Sequence, residues 1–305
     1  MIRSRTAEGV AAVRAATALD PGLRDLFQDP LAPWLIPKTA RLVLGIPPLR
    51  RAWLRRTERL QLGMVHDVGV RARYALDRLA LLSASGMRQA VILGAGMDAT
   101  AWLAGLPDDL VVFEIDHPGS QQHKSALLSR LKRAPLRPVH QIPADFSAAP
   151  GAGWLARGLR TAGFREERPA LVTALGLLTY LEAPRVRALL EEAARACAPG
   201  SELVVSWFSR EVLDPLRRTA AAARVASRVA RIGEPFLSAF DPAEMFDLLR
   251  ASGWRVSEHL DGDGMTRRYL SGRGRFRVVA PFVNLARAER DSPPPGSSLQ
   301  STSGR

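Results

Sequence analysis

The sequence predicts an α/β protein built on a doubly wound, mainly parallel sheet. Five short apolar runs recur between Met87 and Phe208, and stretches with helical periodicity separate them. Short buried strands that alternate with helices are typical of a parallel sheet covered by helices on both faces. Residues 1–85 instead show helical periodicity broken by prolines, so we expect the sheet to begin after them.

The order of elements can be predicted from these patterns. The apolar runs predict strands within residues 86–96, 109–116, 139–146, 169–178 and 201–208. The stretches between and after them predict helices over His117–Lys132, Gly153–Gly163, Pro184–Ala198, Glu211–Ile232 and Asp241–Ser252, the last opening on a capping box. Two further strands are predicted over Trp254–Leu260 and Arg275–Leu285.

Three regions follow from this order. Residues 1–85 are expected to form a helical cap packed on the core, and residues 86–288 to form the ligand-binding domain. Residues 289–305 are rich in proline, serine and glycine, which predicts a disordered tail. Substrate specificity is expected to lie in the cap and in the segment between Ser209 and Asp241.

The composition excludes several classes of protein. The chain has 305 residues, 47% of them hydrophobic, without an apolar run long enough to span a membrane. Its one cysteine, Cys197, excludes an internal disulfide framework and a cysteine-rich zinc site. We therefore expect a cytosolic protein with no metal and no membrane partner.

The net charge of +13 suggests a nucleic-acid partner, but the distribution of the charge argues against one. Of the 43 basic residues only Lys38, Lys124 and Lys132 are lysines, and the arginines are spread along the whole chain. A binding groove would instead concentrate cations in one patch, among aromatic residues. We expect no specific nucleic-acid partner.

The first chemical motif is VILGAGMDA, residues 91–99, in which a predicted strand runs into Gly94-Ala95-Gly96. Glycines allow a sharp turn and let a ligand approach the backbone closely. We expect a helix to begin soon afterwards. The third glycine of a dinucleotide-binding fingerprint is missing, so a plain turn between strand and helix remains an alternative for this motif alone.

Acidic residues follow the next two predicted strands. Glu114 and Asp116 lie about twenty residues after the glycine turn, the spacing of an acid that accepts hydrogen bonds from a ribose diol. Asp145 can accept a hydrogen bond from an adenine amine, with Phe146 beside the ring. A nucleoside site without phosphate-binding glycines suits an S-adenosyl group better than a nicotinamide dinucleotide.

The stretch from Val70 to Phe208 resembles the leucine carboxyl methyltransferase family, and in particular its bacterial branch of S-adenosylmethionine-dependent O-methyltransferases, often linked to secondary metabolism. The matching segments are RARYALD, RQAVILGAGMDATAWL, VVFEIDHPGSQQHKSALL, ADF, GLLTYL and APGSELVVSWF. The resemblance implies a class I methyltransferase fold, with seven strands of which the last is antiparallel.

The resemblance also implies S-adenosylmethionine as cofactor and a role for individual residues. It implies that Arg71 holds the cofactor's carboxylate and that Gly94 and Gly96 lie under its methionine part. The remaining cofactor residues that we expect are Ala95, Asp98, Glu114, Asp116, His117, Asp145 and Phe146. An arginine suits the first role because it can bind a carboxylate through two parallel hydrogen bonds.

The expected activity is methyl transfer to a carboxylate or hydroxyl of a small molecule. Tyr180 and His66 are the candidate catalytic side chains. Leu175 stands where the family has a glutamate, which leaves an alternative: a protein that binds the cofactor without transferring its methyl group. A third hypothesis, an RNA methyltransferase, rests on the charge alone.

Overall fold

A single sheet organises the chain. The computed structural model describes residues 5–24, 26–60, 63–148, 151–273 and 277–291. Within these residues the strands are β1 (Gln89–Leu93), β2 (Val111–Asp116), β3 (Val139–Pro143), β4 (Leu171–Ala174), β5 (Glu202–Phe208), β6 (Trp254–Asp261) and β7 (Val283–Arg290). They form a seven-stranded sheet in the order β3-β2-β1-β4-β5-β7-β6. β1 to β5 are parallel, and β7 runs antiparallel to both β5 and β6.

The helices in the same described residues cover this sheet, and the first four precede its first strand. They are α1 (Arg5–Leu19), α2 (Lys38–Gly45), α3 (Pro47–Leu60), α4 (Met64–Ala84), α5 (Pro118–Leu131), α6 (Trp154–Thr161), α7 (Ala183–Ala196), α8 (Ala220–Arg231), α9 (Pro242–Ala251) and α10 (Gly262–Tyr269). α9 has the predicted capping box, in which the Asp241 N–H donates to the Glu244 carboxylate at 2.8 Å. Within the described residues, no helix is both long and apolar enough to cross a membrane.

The predicted fold class is confirmed, including the five parallel strands and the antiparallel last strand. Every residue of β1, β4 and β5 is buried, which explains why these strands are continuous apolar runs instead of alternating patterns. From β1 the chain proceeds outward to β2 and β3, and it then returns to the other side of β1 for β4 and β5. This reversal opens a crevice at the carboxyl ends of β1 and β4, where α/β sheets bind ligands.

The amino-terminal helices pack directly on the sheet. Leu26 and Tyr74 belong to the same buried cluster as Leu171 of β4 and Val204 of β5. α1 packs its buried alanines in a neighbouring cluster with Ile92 of β1 and Val112 of β2. The boundaries of the predicted cap and domain stay predictions.

The prediction of a helix after Gly96 is wrong, because this segment has only a short 3-10 turn, Thr100–Trp102. The buried guanidinium of Arg137 takes over the hydrogen bonding that a helix would provide. It donates to the carbonyl oxygens of Thr100 and Leu103 at 2.8 Å, and to those of Leu106 and Pro107 at 3.2 Å. Backbone acceptors that are buried in an irregular segment must find such partners.

Two predictions beyond β5 are corrected. The helix expected over Glu211–Ile232 is interrupted at Pro215, where Asp214 accepts a hydrogen bond from the Leu216 N–H, so that α8 starts only at Ala220. The strand expected over Arg275–Leu285 begins at Val283 and continues through Arg290, because Pro281 lies in a turn before it. α10, between β6 and β7, was not predicted. Of the predicted tail, residues 289 and 290 belong to β7, and residues 292–305 lie outside the described residues.

Candidate functional site

A cavity of about 620 Å³ lies at the carboxyl ends of β1, β2 and β4, at the crevice that the strand order opens. Three groups of residues line it. The first comes from the ends of strands β1 to β4 and includes Gly94, Ala95, Gly96, Asp98, Asp116, His117, Asp145 and Leu175. The second comes from the amino-terminal segment and includes Val10, Arg14, Phe27, Arg71, Ala72 and Leu76. The third is the segment from Gly233 to Leu237.

The glycine turn after β1 forms the floor of the cavity. Gly94 and Gly96 have φ values of +71° and +51°, in the left-handed region that favours glycine. A Cβ on Gly94 would lie 3.1 Å from the Leu177 side chain. The N–H groups of Gly94 and Ala95 donate to the Ile115 carbonyl of β2, at 2.9 and 3.2 Å, so the turn is fixed to the neighbouring strand.

The Asp116 carboxylate connects this turn to the end of β2. One of its oxygens accepts a hydrogen bond from the Gly96 N–H, and the other accepts one from the His117 N–H at 2.6 Å. Burial raises the pKa of Asp116 above its usual value, although the two backbone hydrogen bonds oppose the rise. Asp116 and the glycine turn, which the sequence grouped as cofactor residues, are thus joined directly, and both line the cavity.

Glu114 lies outside the cavity lining, although it was grouped with Asp116 as a cofactor residue. It is buried under α5, where the Lys124 ammonium donates to both of its carboxylate oxygens at 2.7 Å. Lys124 is equally buried, and its Nζ lies 5.5 Å from the centre of the Trp102 ring. Burial raises the pKa of Glu114, and Lys124 opposes this rise. The contacts of Glu114 are those of a residue that fixes α5 to β2.

Arg71 is a buried cation in the cavity wall. Its Nη1 donates to the Ser206 hydroxyl of β5 at 3.1 Å, and its Nε lies 3.2 Å from the carboxylate of Asp67, one turn earlier on α4. The Ser206 oxygen also accepts the Gly176 N–H at 2.9 Å. Gly176 has a φ of +71°, and a Cβ there would lie 2.7 Å from Arg71 Nη1, so only glycine leaves room for the guanidinium.

Asp67 is fully buried, and burial raises its pKa to about 6 against the opposing attraction of Arg71. Within the described part of the chain, Arg71 Nε and both Asp67 oxygens have no partner with hydrogen-bond geometry. The cavity wall thus contains a paired but incompletely hydrogen-bonded guanidinium.

The other predicted cofactor residues are divided between the cavity and its surroundings. Asp98 lines the cavity and accepts the Thr100 N–H at 2.7 Å, and His117 caps α5 by accepting the Gly119 N–H at 3.1 Å. Asp145 lines it as well, and hydrogen bonding from Ser147 lowers its pKa. Phe146 lies outside the lining, in an edge-on contact with the Trp154 ring.

The two candidate catalytic residues differ in their position relative to the cavity. Tyr180 lines the cavity, with its ring 5.5 Å from that of Phe236. His66 is buried outside the lining, with its Nδ1 3.6 Å from the Glu58 carboxylate. Glu58 also accepts the Gly63 N–H at 2.7 Å, so His66 belongs to the junction of α3 and α4.

Sequence reasoning missed Arg14 and Ser206. Arg14 lines the cavity from α1 and pairs with Asp29 at 2.6 Å, but nothing in its local sequence separates it from the other arginines. Ser206 left a signal, because it is the one hydroxyl in the otherwise apolar run VVSWF. A polar residue in a fully buried strand requires a hydrogen-bond partner, and here that partner is Arg71.

Comparison with known proteins identifies the family. The sequence profile of the leucine carboxyl methyltransferase family matches residues 7–194, more than half of the chain. The chain belongs to the leucine carboxyl methyltransferase family. A Mycolicibacterium gilvum protein assigned to the S-adenosyl-L-methionine-dependent methyltransferases is 32% identical over 267 residues, which cover 83% of this chain and 82% of the relative. A Mycobacteroides abscessus protein with the same assignment is 32% identical over 298 residues, covering 94% and 88%.

A solved structure extends the comparison to the fold. A Thermobifida fusca protein assigned as a methyltransferase superposes with a TM-score of 0.56 at 17% identity, covering 92% of this chain and 94% of that one. The strand order and the antiparallel β7 are those of the class I methyltransferase fold that the resemblance implied.

We predict that Lys124→Met destabilises this family member by about 3–5 kcal/mol, because it leaves the Glu114 carboxylate buried without a cation. The double variant Glu114→Gln/Lys124→Met should recover most of the loss, since it removes both charges. Urea unfolding measures the free energy of unfolding of both variants, with Lys132→Met as a control that replaces an exposed lysine. Equal stability of the two variants would contradict the buried pair.

We predict that Asp67 makes the stability of the folded protein depend on pH. With a pKa of about 6 when folded against 3.8 as the ordinary value, Asp67 favours the folded state most below pH 4 and loses that contribution as the pH rises through 6. The stability of the parent protein minus that of Asp67→Asn should therefore fall by about 2.4 kcal/mol between pH 4 and 7. Asp77→Asn removes an exposed arginine pair on the same helix and should not reproduce this slope. A difference that does not change with pH would refute the assignment.

Proposed function

We propose that this protein transfers a methyl group from S-adenosylmethionine to an oxygen atom of a small molecule, a carboxylate or a hydroxyl. Its family and relatives show that the protein is an S-adenosylmethionine-dependent methyltransferase and that S-adenosylmethionine is its cofactor. The observation that carries the proposal is one cavity that combines the glycine turn, the Asp116 carboxylate and the buried Arg71 guanidinium.

The residues present fit that cofactor. The cavity has the volume typical of sites for ligands of this size. A buried guanidinium that lines the cavity suits the cofactor's carboxylate, and the left-handed glycines allow a ligand to approach the backbone. Asp116 suits a ribose diol, and Asp145 suits an adenine amine.

We propose cofactor contacts for the lining residues Arg71, Gly94, Ala95, Gly96, Asp98, Asp116, His117 and Asp145. For Glu114 and Phe146 we propose indirect roles, because both lie outside the lining. Glu114 holds α5 behind the ribose site through Lys124, and Phe146 supports the Asp145 turn through its contact with Trp154.

When bound, the cofactor would supply its sulfonium methyl group to an acceptor oxygen in line, with the C–O bond formed as the C–S bond breaks and S-adenosylhomocysteine leaves. The task of the protein is to position the acceptor and exclude water, which can reduce the barrier by about 7–11 kcal/mol. An acceptor carboxylate is already ionised at neutral pH and needs no base, whereas a hydroxyl requires one. Tyr180 lines the cavity and is the better candidate to contact the acceptor, since His66 lies outside it.

The acceptor side of the cavity favours a small, largely apolar molecule. Phe27, Ala72 and Leu76 line it from the amino-terminal segment, and Pro235 and Leu237 line it after α8. These are the two segments in which specificity was expected. The single cysteine, Cys197, is consistent with a cytosolic location for this reaction.

We predict that calorimetric titration with S-adenosylmethionine gives micromolar binding, and that Asp116→Ala weakens it at least tenfold. The reason is that two charge-assisted hydrogen bonds to the ribose would be lost, at about 1.5–3 kcal/mol each. Asp109→Ala removes an exposed acid that pairs with Arg88 and should bind as the parent does. No binding to the parent at millimolar cofactor would refute the proposal.

A second ligand separates recognition by Arg71 from its structural role. 5′-Methylthioadenosine lacks the amino-acid carboxylate, so Arg71→Met should weaken S-adenosylmethionine about tenfold or more while changing 5′-methylthioadenosine little. Because both ligands meet the same variant, a general distortion of the site would weaken both. Equal loss for the two would assign Arg71 to structure alone.

A second candidate function is favoured by one observation: Leu175, in place of the family's glutamate, lines the cavity. In this second function the protein binds the cofactor without transferring its methyl group.

Radiolabelled cofactor with a panel of carboxylic acids and phenols separates the two functions, and we predict a methyl ester or ether product. Tight cofactor binding with no labelled product from the parent would favour the second function, and product formed by Leu175→Glu alone would attribute the lost transfer to Leu175.

A further inference from the structure

The junction between α2 and α3 exposes a cluster of aliphatic side chains. Leu42, Ile46 and Leu49 are 69%, 48% and 46% exposed, and Val43 beside them is exposed as well. We call these four residues the α2–α3 tip. Residues 42–49 read LVLGIPPL and contain no polar side chain. Contiguous exposed apolar residues of this kind mark interaction surfaces.

The tip is held in place from inside. Leu44 is buried, and the buried Arg50 guanidinium donates to its carbonyl oxygen at 2.9 Å. The Ile46 N–H donates to the Val43 carbonyl at 3.2 Å, and the Arg50 N–H donates to the Ile46 carbonyl at 2.9 Å. The aliphatic side chains therefore stay exposed because the backbone of the turn is fixed, with its inward positions already occupied.

Cations surround the tip. Lys38 precedes it, and Arg51, Arg55 and Arg59 follow it at intervals of four, which places them along one face of α3. All four are exposed, and in the described residues none has a carboxylate within ion-pair distance. The single acid between residues 38 and 60, Glu58, faces inward to Gly63 and His66.

The charges limit what can cover the tip. A second copy docking tip to tip would bring these cations against each other, so the partner must be anionic. Aliphatic side chains at a fixed turn, with arginines beside them, have the composition of segments that insert into the headgroup region of an anionic bilayer.

We propose that the α2–α3 tip docks this protein on an anionic lipid bilayer, with its aliphatic side chains in the acyl boundary and the surrounding cations at the headgroups. This proposal is independent of the proposed function, and it replaces the sequence-based expectation of no membrane partner. The chain would lie on the membrane surface without crossing it.

Cosedimentation with vesicles tests the proposal. The full chain should bind phosphatidylcholine vesicles that contain about 30 mol % phosphatidylglycerol, and it should bind pure phosphatidylcholine weakly. The triple variant Leu42→Ser/Ile46→Ser/Leu49→Ser should weaken binding to the anionic vesicles at least tenfold, because inserted aliphatic side chains are lost. Leu216→Ser removes an aliphatic side chain that is 96% exposed elsewhere and should change nothing.

A fluorescent label reports insertion directly. Ile46→Cys can be labelled with an environment-sensitive dye, since the native Cys197 is buried. Its emission should shift to the blue with anionic vesicles, whereas the emission of labelled Leu216→Cys should not. Absence of binding would overturn the proposal. Binding that the triple serine variant retains would also overturn it, and would reduce the effect to nonspecific attraction by the net charge of +13.

Discussion

Burial of the Arg71 guanidinium is the interaction on which the geometry of the candidate site depends. Arg71 extends from α4 to the ends of β4 and β5, where the Ser206 hydroxyl accepts a hydrogen bond from it and Gly176 leaves it room. Moving α4 away from the sheet would withdraw the guanidinium from Ser206, which is buried in β5. The amino-terminal helices and the sheet therefore form the wall of one cavity.

The same burial accounts for the electrostatics of that wall. Asp67 balances Arg71 from one turn earlier on the helix, but desolvation outweighs the attraction and raises the pKa of the acid. The pair is close, at 3.2 Å, without hydrogen-bond geometry. Arg71 reaches the cavity lining, whereas the Glu114–Lys124 pair lies outside it with the ammonium bound to both carboxylate oxygens, which is why we propose a binding role for the first and a structural role for the second.

The sequence predicted what local geometry demands and missed what distant residues provide. Glycines in a tight turn and an acid at a strand end are local requirements, so Gly94, Gly96 and Asp116 could be grouped before the fold was known. Glu114 and Asp116 both lie near the end of the same strand, so the sequence does not distinguish them. Only the position of Lys124 on the next helix gives Glu114 different surroundings. The missing helix after β1 depends in the same way on Arg137, more than thirty residues further along the chain.

The arginines explain why the net charge is a poor guide to partners. Arg50 and Arg137 are buried, and each donates to carbonyl oxygens inside the protein, so these cations stabilise the fold and attract nothing from solution. Many surface arginines are paired with acids, as Arg210 is with Glu244. Charge that remains available for a partner has to be located residue by residue, and α3 is a place where it concentrates beside exposed aliphatic side chains. A partner for this protein is therefore better sought at that surface than inferred from the composition of the whole chain.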